Sequence, residues 1–226
     1  MKRLGSAHEN LDHKVYKKLK SMIVERRLMP GEKIYQDRLA RDLGVSRTPL
    51  ISALKKLEQE ELICAVPRRG FFVRSFSRDE MISIFELREI LEGFAARKAA
   101  LNITKSQSAR LNTFFEGLRI TDDAEDIKKY AEEDRRFHAF VIEVGGVDIL
   151  SNILKTYNIL VFSYHRERLE GLVRLPEDTI GEHRAIIDAI TAKDPFRAEE
   201  LMRSHLRKSS EQLMRERDEE RAGNSG

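Results

Sequence analysis

The chain has 226 residues, 41% of them hydrophobic, and its formal net charge of +3 is unevenly placed: residues 1–76 carry 17 Lys+Arg against 9 Asp+Glu, and the remainder 24 against 29. That length suits one or two domains with a substantial core, two being expected here, and only the N-terminal part is charged to meet a polyanion. The single cysteine, Cys64, excludes an intramolecular disulfide and a cysteine-rich zinc knuckle, while the lack of any apolar run of membrane-span or signal-peptide character makes a cytoplasmic protein the expectation.

Leu11, Val15, Leu19, Met22 and Ile23 recur at helical spacing before Pro30-Gly31, predicting a first helix that packs as a support across the next two. Leu39, Ala40 and Leu43 then form one apolar helix face. Gly44 ends that helix in a tight turn, and Ser46 is placed to accept a backbone N–H as the N-cap of the next. This is a helix-turn-helix pattern. The second helix buries Leu50, Leu54 and Leu57 and presents Arg47 and Thr48 at its N-terminus, where such helices meet base edges and phosphates in a major groove. Residues 62–66 and 71–73 read as two short strands joined by Pro67-Arg68-Arg69-Gly70, a basic wing whose Gly70 permits the positive φ that the turn needs. An ordinary solvated surface hairpin is the alternative for the wing alone. Cys64, inside an apolar strand, reads as a small packed core residue.

The boundary falls near Phe76. Ser77 with Glu80, and later Thr104 with Gln107, carry the capping-box spacing that opens a helix. Ile84, Leu87, Leu91 and Ala95 continue the first of these. Further helices are predicted over about 124–144, ended by Gly145-Gly146, then 147–170, 177–192, and from Asp194-Pro195 toward Arg221. No strand pattern appears after residue 76. The fold class is therefore mainly α: a winged helix-turn-helix DNA-binding domain over 1–76 and an all-helical bundle of about six helices over 77–222.

Asp134 and His138 stand four residues apart on one helix face, near Phe137 and Val141, which suggests that the face points inward. His183 lies beside Ile186, Ile187 and Ile190, and His205 near Leu201 and Met202. Three helices would thus each direct an imidazole or carboxylate into the bundle, as helical metal sites do; separate histidines with ordinary hydrogen-bond partners are the alternative. One Asp with three His offers nitrogen and oxygen donors without thiolate, which suits Zn²⁺, Ni²⁺ or Mn²⁺ and leaves positions open for a ligand carboxylate. His8, Glu9 and His13 miss the zinc-protease spacing by one residue. His13 and His165 read as surface residues.

With these motifs the chain resembles GntR-family transcription regulators of the FadR subgroup, with an FCD-type C-terminal domain, over about residues 10–218. The matching residues are Met29-Pro30-Gly31-Glu32, Leu43-Gly44-Val45-Ser46-Arg47-Thr48-Pro49, Arg69-Gly70-Phe71, Glu86-Leu87-Arg88, Leu91-Glu92 and Asp134-Arg135-Arg136-Phe137-His138. The resemblance implies that Asp134, His138, His183 and His205 are metal ligands. It is compatible with a DNA-contacting set of Arg38, Ser46, Arg47, Thr48, Arg68, Arg69 and Gly70. Arg88 is either an effector contact or the partner of Glu92 in a helix-surface ion pair. Four residues depart from the family pattern. Ile51-Ser52 stands where Arg-Glu is common, Asp37 where some relatives have a basic residue, and Glu61 where glycine usually precedes Leu62. The operator sequence therefore cannot be carried over.

The expected function is that of a homodimeric, ligand-responsive regulator, a repressor released from double-stranded operator DNA by a small organic acid bound at a divalent metal site. It is not expected to be an enzyme or to bind a membrane. A metal-dependent enzyme acting on a small carboxylate and a metal-sensing regulator are the alternatives, since an open coordination position can activate water and a cation can itself be the signal.

Overall fold

The computed structural model describes residues 11–146 and 172–223. The chain forms two compact units that divide between Ser75 and Phe76.

In the first unit, helix α1 (Leu11–Val24) buries Val15, Tyr16, Leu19 and Ile23. It packs against α3 (Arg47–Gln59), whose buried face is Pro49, Leu50, Ala53, Leu54 and Leu57. Leu11 breaks the expected stripe: it is exposed, because a side chain in the first turn leans back past the helix start. Helix α2 (Gln36–Leu43) buries Leu39 and Ala40, with Leu43 half-buried. Gly44 closes it at φ +65°, its N–H donating to the carbonyls of Ala40 and Arg41. Ser46 occupies the N-cap position of α3, yet its hydroxyl makes no capping bond. Pro49 removes one of the two usual partners: it holds the third helical position and lacks the N–H that an N-cap oxygen commonly accepts.

The wing has three strands where two were expected. β1 (Lys33–Ile34), β2 (Ile63–Val66) and β3 (Gly70–Val73) form an antiparallel sheet in the order β1-β3-β2. Two residues are too few for alternation to be read, so β1 is invisible in the sequence. Ile63 lies opposite Val73, both buried. The strand period of two then turns Cys64 outward, so the cysteine expected in the core is exposed. Between β2 and β3 the Arg69 N–H donates to the Val66 carbonyl, with φ of +63° at Arg68 and +97° at Gly70.

Among its described residues the second unit has helices and no strand. Both capping boxes form, Ser77 with Glu80 at the start of α4 (Arg78–Asn102) and Thr104 with Gln107 at the start of α5 (Lys105–Asn112). Asp123 caps α6 (Ala124–Gly145) by accepting from the N–H groups of Glu125 and Asp126. Pro176 opens α7 (Pro176–Thr191), and Asp194 accepts from the Arg197 N–H at the start of α8 (Pro195–Gly223). The helix expected over 147–170 lies outside the described residues. Helix α4 is the axis of this unit and packs on α6, α7 and α8. Of the two glycines after Val144, only Gly146 makes the turn, at φ +66°. Gly145 is there for proximity: a Cβ on it would lie 2.7 Å from the Ala95 carbonyl oxygen of α4. Among the described residues no helix is long and apolar enough to cross a membrane.

Candidate metal centre and candidate DNA-reading face

Asp134 and His138 project from α6, His183 from α7 and His205 from α8, and one donor atom of each lies within 4.8 Å of the others. His183 Nε2 is 3.2 Å and His138 Nε2 3.8 Å from Asp134 Oδ1. The three imidazoles are buried, while Asp134 keeps partial access to solvent.

Each imidazole is held from behind through Nδ1. His138 Nδ1 donates to Glu92 Oε2 at 2.5 Å, and His205 Nδ1 donates to Glu182 Oε2 at 2.8 Å. An ionised carboxylate only accepts, so in the neutral rings the proton sits on Nδ1 and the Nε2 lone pair is left for the cluster. His183 Nδ1 lies 2.9 Å from the Tyr130 hydroxyl, which lies 2.7 Å from Thr179 Oγ1; that hydroxyl donates to the Leu175 carbonyl. With the Thr179 proton spent on Leu175, Tyr130 donates to Thr179 and accepts from His183, giving the third ring the same tautomer.

That assignment leaves His183 Nε2 as a buried acceptor with no hydrogen-bond partner, facing a carboxylate oxygen. Its surroundings offer none, because Phe115 stacks on the ring at 4.6 Å and Phe137 meets it edge-on at 5.0 Å. An unpaired buried acceptor costs about 1–3 kcal/mol, and a cation between Nε2 and the carboxylate satisfies both groups. The donor set therefore fits a divalent ion.

The electrostatics favour the unprotonated form of His183 and His205. Burial holds His183 well below the usual imidazole pKa, and the repulsion that a charge there would meet from His205, His138, Arg174 and Arg88 adds to it. Burial also lowers His205, against the bond from Glu182 that favours its proton. Burial opposes charge on Glu92, but Arg88 and His138 overcome it and bring its pKa down to about 2. Burial likewise opposes charge on Glu182, yet bonds from His205, Arg174 and Lys208 hold it far below the carboxylate range.

Arg88 is not on the surface. It is buried, its Nε donating to Glu92 Oε1 at 2.6 Å with the guanidinium over the Phe85 ring. The Glu92 pairing read from the sequence is present, but in the core. The roles of Glu92, Tyr130 and Glu182 behind the histidines are not legible in the sequence spacing. A signal for the burial of Glu92 existed: Met81, Phe85, Arg88, Glu92, Ala96 and Ala99 repeat at core spacing and are all buried.

On the first unit, Arg47, Arg68, Arg69 and Gly70 line one open concavity together with Lys33 and Asp37. Ser46 and Arg47 line an adjoining one, and Arg38 lines neither. Thr48 is exposed on the first turn of α3. Arg47 Nη2 forms an ion pair with Asp37 Oδ1 at 2.7 Å, whereas Arg38 lies 3.7 Å from Asp42. Arg69 rests over the Phe72 ring.

Comparison with known proteins matches residues 11–73 to the family described as bacterial regulatory proteins, gntR family, and residues 83–208 to the FCD domain. The HTH-type transcriptional repressor RspR of Escherichia coli K12 is 25% identical over 209 residues, 92% of this chain and 91% of that protein. An uncharacterized HTH-type transcriptional regulator of Streptomyces ambofaciens is 30% identical over 85% of this chain and 80% of its own length. The fold is shared with a GntR regulator of Rhodococcus sp. RHA1, at TM-score 0.76 and 19% identity over 90% of this chain and 97% of that one.

Proposed function

Because the chain belongs to the GntR family of bacterial regulatory proteins with an FCD domain, and is thus a DNA-binding transcription regulator, we propose that it is a homodimeric repressor released from its operator by a small organic acid. In this reading residues 1–76 meet DNA through Arg38, Ser46, Arg47, Thr48 and the wing residues Arg68, Arg69 and Gly70. Residues 77–222 dimerise and bind the effector. Two copies present two recognition helices, and a palindromic operator mirrors their symmetry. Repression is supported by the names of relatives such as RspR, and action on chromosomal operators places the protein in the cytoplasm.

The observation that carries the effector site is the buried, partnerless Nε2 of His183 facing Asp134, with three imidazoles held through Nδ1. Asp134, His138, His183 and His205 would hold Zn²⁺, Ni²⁺ or Mn²⁺ as a nitrogen and oxygen donor set. A bound ion supplies Lewis-acid positions that a carboxylate can complete. Arg88 supports His138 through Glu92 and is not a direct effector contact in this scheme. An acid that prefers one placement of the winged units lowers operator affinity only by that preference.

The test is operator binding by the full chain, metal-free and loaded with each ion in turn, titrated with a panel of small carboxylic acids. Release by an acid only in the metal-loaded protein, lost in His183→Ala, is the expected result. Release by the metal alone would make the ion the signal, and turnover of an acid would make the centre catalytic. Arg47→Ala, assayed alongside, is expected to weaken specific binding.

A further inference from the structure

The charged groups that line the concavity beside Arg47 are three cations, Lys33, Arg68 and Arg69, and one acid, Asp37. An acid on a face built for a polyanion weakens the attraction to phosphate, so its position calls for a reason. It is not structural glue: the Asp37 and Arg47 side chains are 60% and 76% exposed, and exposed pairs add little to stability. A favourable placement in the first turn of α2 does not account for its contact across the turn with the recognition helix.

The contact changes what Arg47 can do. A guanidinium offers five N–H donors in one plane; the ion pair with Asp37 engages it at Nη2 and leaves other N–H groups to meet a base. Guanine presents O6 and N7 to two such donors, and an arginine already held in place loses less freedom on docking there. A bare phosphate meets instead a half-neutralised guanidinium beside a repelling carboxylate. Arg47 is the one arginine of α3, with Ile51 one turn further on, so base reading by this helix falls heavily on it. We propose that Asp37 is a specificity-determining residue, holding Arg47 for a bidentate contact with guanine and weakening its attraction to phosphate. This inference rests on the reading of Arg47 as a DNA-contacting residue.

The experiment selects bound sequences from random duplex DNA with the full chain. It then measures affinity for the selected operator and for a scrambled duplex at two salt concentrations. Wild type, Asp37→Ala, Asp37→Asn, Arg47→Ala and the Asp37/Arg47 double alanine variant are compared, with circular dichroism to show that each folds. Asp37→Ala is expected to bind the scrambled duplex roughly tenfold more tightly, with a salt slope steeper by about one phosphate. Its preference for guanine at one position per half-site should fall about tenfold, and Asp37→Asn should behave in the same way. In the Arg47→Ala background, loss of Asp37 should leave base preference unaltered. The proposal is overturned if Asp37→Ala keeps the full guanine preference, or shifts preference equally without Arg47. If Arg47→Ala leaves operator affinity unchanged, the reading of Arg47 fails and takes this proposal with it. If Arg47→Ala weakens the operator while Asp37→Ala alters nothing, only the role of Asp37 fails.

Discussion

The two polar constellations of this molecule are built on opposite terms. On the candidate DNA-reading face the charged groups are exposed, and the ion pairs there are contacts that water and salt weaken, as between Arg47 and Asp37 or Arg38 and Asp42. In the helical unit the imidazoles are buried and each is held through Nδ1 by a fixed partner: Glu92 behind His138, Tyr130 behind His183, Glu182 behind His205. A face that must exchange its partners for DNA gains from weak pairs. Buried donors must be fixed in advance, because a buried group left without a partner is expensive. Substitutions should therefore be severe in the second region and mild in the first.

The largest effect should come from Glu92→Ala. It strands Arg88 in the core without a counter-charge and leaves the His138 Nδ1–H without its acceptor, and breaking a buried pair in this way costs about 3–5 kcal/mol. Urea unfolding of the metal-free protein reads this directly; a loss under about 1 kcal/mol would place Glu92 in water and dissolve the contrast. Acid comes next. Because the folded pKa values of His183 and His205 lie below that of a free imidazole, the unfolded chain takes up protons that the folded one refuses. Stability is present above about pH 6.5 and falls as the pH drops through that value, by up to about 1.4 kcal/mol per pH unit for each histidine. Glu92, at about 2 when folded, contributes its share above the ordinary carboxylate pKa and loses it only in stronger acid. Unfolding at about pH 8 and about pH 5.5 in chelator therefore isolates the histidines.

A subtler change is Tyr130→Phe, which removes the hydroxyl that fixes the His183 tautomer while keeping the ring that packs on Phe115. Metal affinity should fall about 10–100-fold, as for other outer partners of metal-ligating histidines, and calorimetric titration with Zn²⁺ measures it. Unchanged affinity would mean that His183 does not bind metal through Nε2.

The sequence conveyed local events well and long-range ones poorly. Gly44, the Ser77 and Thr104 capping boxes and the leucines of α3 act through neighbours within four residues, so their spacing alone predicts them. Cys64 went wrong because a strand's inward face depends on what it packs against, and apolar composition does not say which side that is. Ser46 went wrong in part because one of its two usual partners, the N–H three residues on, belongs to Pro49 and does not exist. For the cluster, helical spacing put Asp134 and His138 on one face. That His183 and His205 meet them is a matter of helix packing, and the resemblance to a family supplied what spacing could not. Tyr130 and Glu182 reach their histidines across 53 and 23 residues of chain, beyond any local pattern.

The smallest effect expected lies in the first unit and tests whether that region is as forgiving as its exposure suggests. Glu61, just before β2, sits at φ +58°, a left-handed conformation in which a Cβ is crowded by backbone. Its carboxylate pairs with Arg74, but at a largely exposed position where such a bond adds little. Glycine at this site removes the strain and forfeits the pair, and the first term is the larger. Glu61→Gly should therefore stabilise the protein by about 0.5–1 kcal/mol. Glu61→Gln separates the two contributions: it keeps the strained backbone, loses only the charge, and should lower stability by less than about 0.5 kcal/mol. Thermal melts of the three proteins give the order, glycine above wild type above glutamine. If glutamine falls as far as a buried-pair mutant, the Glu61–Arg74 contact is holding the wing, and exposure is a poor guide to which charges on this face can be exchanged for DNA.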